Sequence, residues 1–321
     1  MEYKRGGLQK ERYEKDEVAL RSCPLCADRE YSPIFTERGS LGIVRCKKCS
    51  LIYTNPMIRE VNKNYWGDEN EYFEEARLIF LGKAGHHRDH NYLKDLGRIE
   101  KLKPEGNFLD IGTNMGSFLR HTRNKRWKVT GVEPSPVLSG MARKYYGLNI
   151  KTGYIEDLDL EEKSFDVVTL IDVFEHIAKP KEMLSSISRL MKDNGILFIK
   201  VPNARYSLLK LRLSKLTGKL AEYDIFDSYE HLTHYTQETL KRMLYESGFK
   251  IKKTFIGEPV QVPAWHKYVG RYYQYPSPWT LDKKNYALRV IFHWASKIEF
   301  LLRFGGIGYF ASNIIVIAEK N

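Results

Sequence analysis

From Asn107 onward, short apolar runs alternate with segments whose apolar residues recur at helical spacing, and this alternation limits the fold more than any other feature. NFLDIG, KVTGVEP, NIKTGYI, FDVVTLID and GILFIKVP read as strands. A helix is expected from about Met115 to Lys125, a second in SPVLSGMARKYYG ending at Gly147, and a third in PKEMLSSISRLM. Repeated strand–helix units of this kind predict an α/β fold, a mostly parallel sheet with helices on both faces. TQETLKRMLYESGF adds a helix with a threonine cap and a glycine terminator. KIKKTFIG adds a strand, and SNIIVIAEK a closing apolar strand. In such sheets ligands sit beyond the carboxyl ends of the strands, near the point where strand order reverses.

The end of the first of these strands, LDIGTNMGSF, runs from Leu109 to Phe118. A turn between a strand and its helix offers unpaired backbone N–H groups near a positive helix end. Gly112 and Gly116 let the backbone approach a ligand without a Cβ in the way. Asp110, at the strand end, can accept hydrogen bonds or order the turn. Asn114 stands where a third glycine is expected. Asparagine is the non-glycine residue that best tolerates left-handed geometry, so it is expected to hold the turn and to offer its amide to a ligand. Glu133 lies 21 residues after Gly112, at the end of the next strand. An acid at that distance is the usual acceptor for ribose hydroxyls, so loop and acid together point to an adenosine-containing cofactor. The loop lacks the G-x-G-x-x-G spacing that admits a pyrophosphate.

The ordered set FLDIGTNMGSFL, GVEPSP, GYIEDLDL, SFDVVTLIDVFEHIAKP, LMKDNGILFIKVPN and HLTHYTQETLKRMLYESGF resembles class I S-adenosylmethionine-dependent methyltransferases with a Rossmann-like sheet. The resemblance covers roughly residues 105–256 plus the final strand. It is strongest with the branch that carries EH after the fourth strand and an HLxxYT segment before the next helix. It implies that Asp110, Gly112 and Gly116 line the methionine and ribose part of S-adenosylmethionine and that Glu133 holds the ribose hydroxyls. Tyr154 and Ile155 would flank the adenine, and Asp172 would lie beside the amino-acid end. Many relatives carry an acid where Tyr154 stands, and simple strand packing is the competing reading of that tyrosine.

Methyl transfer from a sulfonium needs alignment and, for a hydroxyl or an acidic carbon, removal of a proton. A histidine can serve as that base near neutral pH. His176 follows Glu175 just past the fourth strand, near the expected sulfonium. In similar sugar C-methyltransferases the histidine of this segment lies close to the substrate. Capping or local packing is the plainer reading. DSYEHLTHYT brings Tyr229, Glu230, His231 and His234 onto a loop that opens toward the strand ends, and deoxysugar C-methyltransferases carry a Tyr/Glu/His cluster in a comparable segment. Tyr229, Glu230 and His231 are therefore candidates to bind or deprotonate a substrate. The competing reading is that His231 and Tyr235 brace the following helix.

All four cysteines lie near the N-terminus, as Cys23-Pro-Leu-Cys26, nineteen residues, then Cys46-Lys-Lys-Cys49. Two C-x-x-C turns offer four thiolates to one zinc ion and leave no open position, so a structural zinc is predicted. Short modules of this kind need the metal to fold. Strand-like pieces at IFTE, GIVRC and LIYTN make residues 1–57 a tail plus a zinc-ribbon-like module. Residues 58–104 read as a helical linker or lid, with Tyr92, Leu93, Leu96, Ile99 and Leu102 at helical spacing. The methyltransferase domain would span 105–321, with substrate insertions at 203–235 and 257–310.

The charged N-terminal stretch lacks an apolar run, which predicts no secretory leader and, with the clustered cysteines, a cytoplasmic protein. The net charge of +12 suggests an anionic partner. The expected acceptor is a small molecule, a sugar, nucleotide-sugar or glycan precursor, whose phosphates that charge would hold. Three other readings stay open. An RNA methyltransferase would use the module and charge to grip nucleic acid, although the chain shows no aromatic-plus-basic stripe. A lipid or quinone methyltransferase would use 257–310 as an interfacial lid touching the membrane surface. A non-catalytic scaffold would bind without turnover.

Overall fold

In a computed structural model, residues 12–59, 79–81, 85–86, 88–122, 125–217, 225–257, 268–269, 283–302 and 308–321 are described. The expected helical segment at 60–78 and the aromatic stretches 258–267 and 270–282 lie outside those residues.

The N-terminal module is a small antiparallel sheet of β1 (Tyr31–Glu37), β2 (Leu41–Cys46) and β3 (Ile52–Thr54). Helix α1 (Asp89–Glu100) follows. It buries Tyr92, Leu96 and Ile99, which recur every three to four residues and so share one face. Leu93, expected with them, is exposed, because one residue further turns the side chain about 100° away. The same face carries Asp95, fully buried and paired with Lys200 (2.7 Å) and Arg98 (2.6 Å). A buried carboxylate held by two cations keeps α1 in one position on the sheet.

The central sheet contains β4 (Glu105–Ile111), β5 (Arg126–Glu133), β6 (Ile150–Thr152), β7 (Phe165–Ile171) and β8 (Met191–Pro202). The two-residue strand β9 (Thr233–His234) lies outside this sheet and pairs antiparallel with β3 of the module. β10 (Phe249–Ile256) and β11 (Asn313–Lys320) complete the main sheet in the order β10-β11-β8-β7-β4-β5-β6. The five strands from β6 to β8 in that order run parallel, and β11 runs antiparallel to both of its neighbours. Strand order reverses between β4 and β7, where ligands of open α/β sheets bind.

Side-chain alternation sends residues to two cores. Leu109, Ile111, Ile314, Val316 and Ala318 face one, and Phe108, Ile315 and Ile317 face the other. Both faces are dry, which is why β8 and β11 read as unbroken apolar runs. Helix α2 (Pro136–Tyr146) begins at the Ser135 cap, whose hydroxyl accepts from Leu138 N–H, and ends at Gly147 with φ +61°. Helix α3 (Pro180–Leu190) covers one face, and α4 (Ala204–Thr217) leads away from β8. Helix α5 (Gln237–Glu246) starts in a Thr236/Thr239 capping box, with Gly248 at φ +84° beyond its end. Helix α6 (Lys283–Leu302) lies within the aromatic-rich insertion.

The helix expected over Met115–Lys125 is reduced to a single 3₁₀ turn at Leu119–Thr122. Gly116 holds φ +80°, outside helical space, so no helix propagates through it. The cysteine module is not a detachable bead. Cys23, Leu25, Cys46, Cys49, Leu51 and Tyr53 belong to the same contiguous core as Leu109, Phe174 and Leu240.

Candidate functional site

The turn after β4 curls back on itself. Gly112 and Thr113 N–H both donate to Val132 O, and Gly116 N–H donates to Thr113 O. Asn114 N–H donates to Glu133 Oε2 (2.7 Å), and Met115 N–H donates to Asn114 Oδ1 (2.6 Å). The amides expected to face a ligand are thus used within the protein, because the Glu133 carboxylate and the end of β5 reach them first. Asn114 has φ +52°, so it holds the left-handed turn, and its side-chain oxygen serves the turn itself. Gly112 (φ +73°) and Gly116 (φ +80°) are required for packing as well as conformation. A Cβ on Gly112 would lie 2.4 Å from Val173, and one on Gly116 2.6 Å from Leu148.

Three carboxylates therefore define this site. Asp110 ends β4 and accepts from Thr169 Oγ1 (2.5 Å). Glu133 ends β5, wholly buried, and its Oε1 accepts from Ser135 N–H (2.9 Å). Asp172 follows β7 at φ +55° and pairs with Arg88, which sits just before α1. Burial raises the Asp110 and Glu133 carboxyls to about 7 each, against the opposing hydrogen bonds from Thr169 to Asp110 and from Ser135 and Asn114 to Glu133. A ligand carrying positive charge and hydroxyl donors is what such carboxylates attract. Each Glu133 oxygen takes one amide and keeps a lone-pair direction for a ribose hydroxyl. The residues fit S-adenosylmethionine, with its sulfonium, ammonium and ribose diol, better than a pyrophosphate. Gly153 (φ +142°) ends β6, which is shorter than the NIKTGYI run suggests. It leaves Tyr154 partly exposed and Ile155 buried beside the same sheet edge.

A second cluster lies past β7. Glu175, His176 and His231 place one ligating atom each within 4.8 Å of the others. His176 Nδ1 lies 3.0 Å from Glu230 O. A carbonyl only accepts, so Nδ1 carries the proton and Nε2 keeps its lone pair. Burial, with help from His231, lowers His176 to about 4, and burial also lowers His231. Glu175 is buried and its carboxyl is raised well above the usual range, by burial first and then by the charge of Asp172. Tyr229 is packed with Tyr13, Val18, Leu41 and Leu232, and its hydroxyl donates to Glu230. His234, in β9, is buried against Thr54 Oγ1 at 3.2 Å.

The cysteine quartet is assembled as expected. Cys23 and Cys49 Sγ lie 3.4 Å apart, and Cys26 and Cys46 Sγ 3.5 Å. Sulfurs about 2.3 Å from one zinc stand roughly 3.8 Å apart, so the four thiols fit a tetrahedral S₄ site. The two turns repeat one geometry. Ala27 N–H returns to Cys23 O with φ +59°, and Ser50 N–H returns to Cys46 O with φ +62°.

Three module residues that no motif marks hold the His231 loop. Glu37, buried, accepts the backbone N–H groups of Ile225 and Phe226 on Oε1 (2.8 Å each) and of Ser228 on Oε2 (2.9 Å). Thr54 Oγ1 donates to His231 O (2.8 Å), and Thr54 N–H donates to Leu232 O (3.0 Å). Arg21 donates to Leu232 O (2.6 Å) and Ala178 O (3.3 Å), joining that loop to the turn after His176. Arg88 was likewise unmarked.

A parallel sheet in this order, with β11 reversed and acids ending β4 and β5 and following β7, defines the class I methyltransferase architecture. The chain belongs to the methyltransferase-domain family, whose model matches residues 84–254. It is 25% identical over 142 residues to a ubiquinone biosynthesis O-methyltransferase of Rhodopseudomonas palustris, which covers 43% of this chain and 54% of that protein. A Coxiella burnetii protein of the same name is 28% identical over 131 residues, 39% of this chain and 53% of that one. The chain thus spans about half the length of these curated relatives. A solved complex between the Haloferax volcanii Trm112 methyltransferase activator and a methyltransferase matches with a TM-score of 0.51 at 16% identity, over 80% of this chain and 96% of that one. That likeness concerns the fold alone.

Proposed function

We propose that the chain transfers the methyl group of S-adenosylmethionine to a small hydroxylated acceptor, a sugar, nucleotide-sugar or other polyol. The observation that carries this reading is the adjacency of two sites at one end of the sheet. Asp110, Glu133 and Asp172 suit a cationic methyl donor. Glu175 and His176 follow Asp172 directly in the chain, and His231 joins them in space. Bound there, the donor supplies an electrophilic methyl carbon on sulfur. Glu133 takes the ribose diol, Asp110 orders the turn beneath it, and Tyr154 and Ile155 flank the adenine. Asp172 takes the ammonium, a role in which Arg88 now stands as its partner. His176 and His231 hold the reacting hydroxyl of the acceptor, and Tyr229 and Glu230 shape the loop around it. The cysteine quartet binds a structural zinc that keeps β3 and β9 paired beneath the loop.

The test is to measure S-adenosylhomocysteine formation across sugars, nucleotide-sugars and catechols, with donor affinity measured separately. His176→Ala and His231→Ala should each depress turnover and leave donor affinity nearly unchanged. Wild-type turnover in both variants on the true acceptor would overturn the assignment.

A quinone or lipid acceptor at a membrane surface is a second reading. Ile291, Trp294, Ile298 and Leu301 of α6 are exposed at spacings that put them on one helix face, an apolar stripe that supports it. The named relatives act in ubiquinone biosynthesis, which points the same way. No helix among the described residues is long and apolar enough to cross a membrane, so contact through α6 would be peripheral. Co-sedimentation with liposomes, lost in Trp294→Glu, would favour this reading over the first.

A further inference from the structure

Glu175 presents a problem that the methyl-transfer reading does not resolve. Its side chain is 2% exposed, and neither carboxylate oxygen has a hydrogen-bond partner. An orphaned carboxylate in a dry site costs several kcal/mol unless a cation or a proton compensates it. Asp172 and Glu230 add negative charge around it, Arg88 offsets part of that charge, and two imidazoles lie within 4.0 Å. His176 Nε2 lies 3.9 Å from Glu175 Oε1 and His231 Nε2 lies 4.0 Å from the same oxygen. Both distances are too long for a hydrogen bond.

The three atoms instead outline a triangle with no side above 4.8 Å. A point equidistant from its corners is about 2.5 Å or less from each, within a few tenths of an ångström of metal–ligand bond lengths. The chain also fixes the orientation that coordination needs. Because His176 Nδ1 donates to Glu230 O, its Nε2 lone pair is directed at the triangle, as the outer hydrogen bond of a metal-bound histidine does. The two rings stand edge to face, 4.8 Å between centroids, so their nitrogens converge without stacking.

We propose that Glu175, His176 and His231 bind a first-row divalent cation, distinct from the zinc of the cysteine quartet, and that this cation seats two neighbouring oxygens of the acceptor. Two imidazoles and one carboxylate form a mixed N₂O set that suits Mn²⁺, Fe²⁺, Co²⁺ or Zn²⁺ and leaves coordination positions open. The acceptor class that fills them is a vicinal diol or a catechol. This role rests on the methyltransferase reading and deepens it. A cation lowers the pKa of a bound hydroxyl, whose proton leaves to water. The resulting oxygen attacks the methyl carbon, the C–S bond breaks with its electron pair going to sulfur, and S-adenosylhomocysteine departs. His176 and His231 then serve as ligands that hold the acceptor rather than as separate bases.

The experiment is a Mn²⁺ titration, followed by electron paramagnetic resonance, of the full chain carrying one equivalent of zinc for the cysteine quartet. Mn²⁺ competes poorly for thiolates, so the cysteine quartet does not interfere. One saturable site per chain is expected, weakened more than about 100-fold in Glu175→Gln and again in His231→Gln. Each variant is checked for a native circular-dichroism spectrum, and the second stands in if the first does not fold. No saturable site in the wild type, or equal Mn²⁺ affinity in a folded variant, overturns the proposal. S-adenosylmethionine affinity is measured on the same samples. Donor binding without Mn²⁺ binding rejects the cation site alone, and Mn²⁺ binding without donor binding rejects the methyltransferase reading while the site itself stands.

Discussion

Glu37 offers the sharpest test of whether the cysteine module shapes the chemistry. Its buried carboxylate accepts three backbone N–H groups of the 225–228 turn, which leads directly into Tyr229, Glu230 and His231. Hydrogen bonds to a charged acceptor contribute about 1.5–3 kcal/mol each, and a buried donor left without a partner costs about 1–3 kcal/mol. Glu37→Ala strands three amides at residues that are all buried, so the turn should lose on the order of 4 kcal/mol even after partial relaxation. Glu37→Gln keeps one oxygen for Ile225 and Phe226 but sets an NH₂ against Ser228 N–H, a loss of about 2 kcal/mol. At about 1.4 kcal/mol per factor of ten, turnover should fall by up to about 30-fold in Gln and by up to about 700-fold in Ala. Methyl-donor affinity should stay within about 2-fold, because the amides that Glu37 holds belong to the 225–228 turn and not to the strand ends that carry Asp110, Glu133 and Asp172. Initial rates, titration calorimetry with the donor and thermal melts separate these effects. A lower Tm with wild-type turnover in Glu37→Ala would show that the turn holds its place without the module. A matching loss of donor affinity would show that the damage is global.

Four further outcomes are expected. Asn114→Gly should retain donor affinity, whereas Asn114→Val should weaken it sharply, because a β-branched residue at φ +52° is strained by about 1–2 kcal/mol or more; equal affinities by calorimetry would mean that position 114 does not shape the pocket. Donor binding should release protons near pH 7 and weaken as the pH falls from about 7.5 to 5.5, since a cation favours the ionised forms of Asp110 and Glu133; calorimetry in buffers of different ionisation enthalpy reads the proton count. The same raised carboxyls, 3.8 and 4.5 in their ordinary state, favour the unliganded fold at low pH, a contribution lost as the pH rises through about 7. Metal analysis should find about one zinc per chain in the quartet, and Cys46→Ser should lower the Tm of the whole chain, because the thiols share the sheet's core; a folded sample with far less zinc would remove that assignment.

The elements that read well from the sequence are those whose cause is local. Ser135 and Pro136 start α2 and Gly147 ends it, Thr236 opens α5, and two dry faces write themselves as the apolar runs of β8 and β11. The alternation of these pieces determined the sheet, the strand ends determined where Asp110, Glu133 and Asp172 would stand, and two C-x-x-C turns determined the quartet. The helix over Met115–Lys125 failed because Gly116 needs a positive φ, and nothing in the string distinguishes that from a glycine tolerated in a helix.

Tertiary structure decided what the acids and histidines face. Glu37 meets a turn almost 190 residues away, Thr54 reaches His231 across 177, and Asp95 meets Lys200 across 105. Such contacts leave no periodicity, because they depend on how α1 packs on β8 and on β9 extending the sheet of the module. The same extension brings His231 to Glu175 and strips the carboxylate of water, so a residue that reads as an ordinary acid before a histidine becomes a charge that needs a partner.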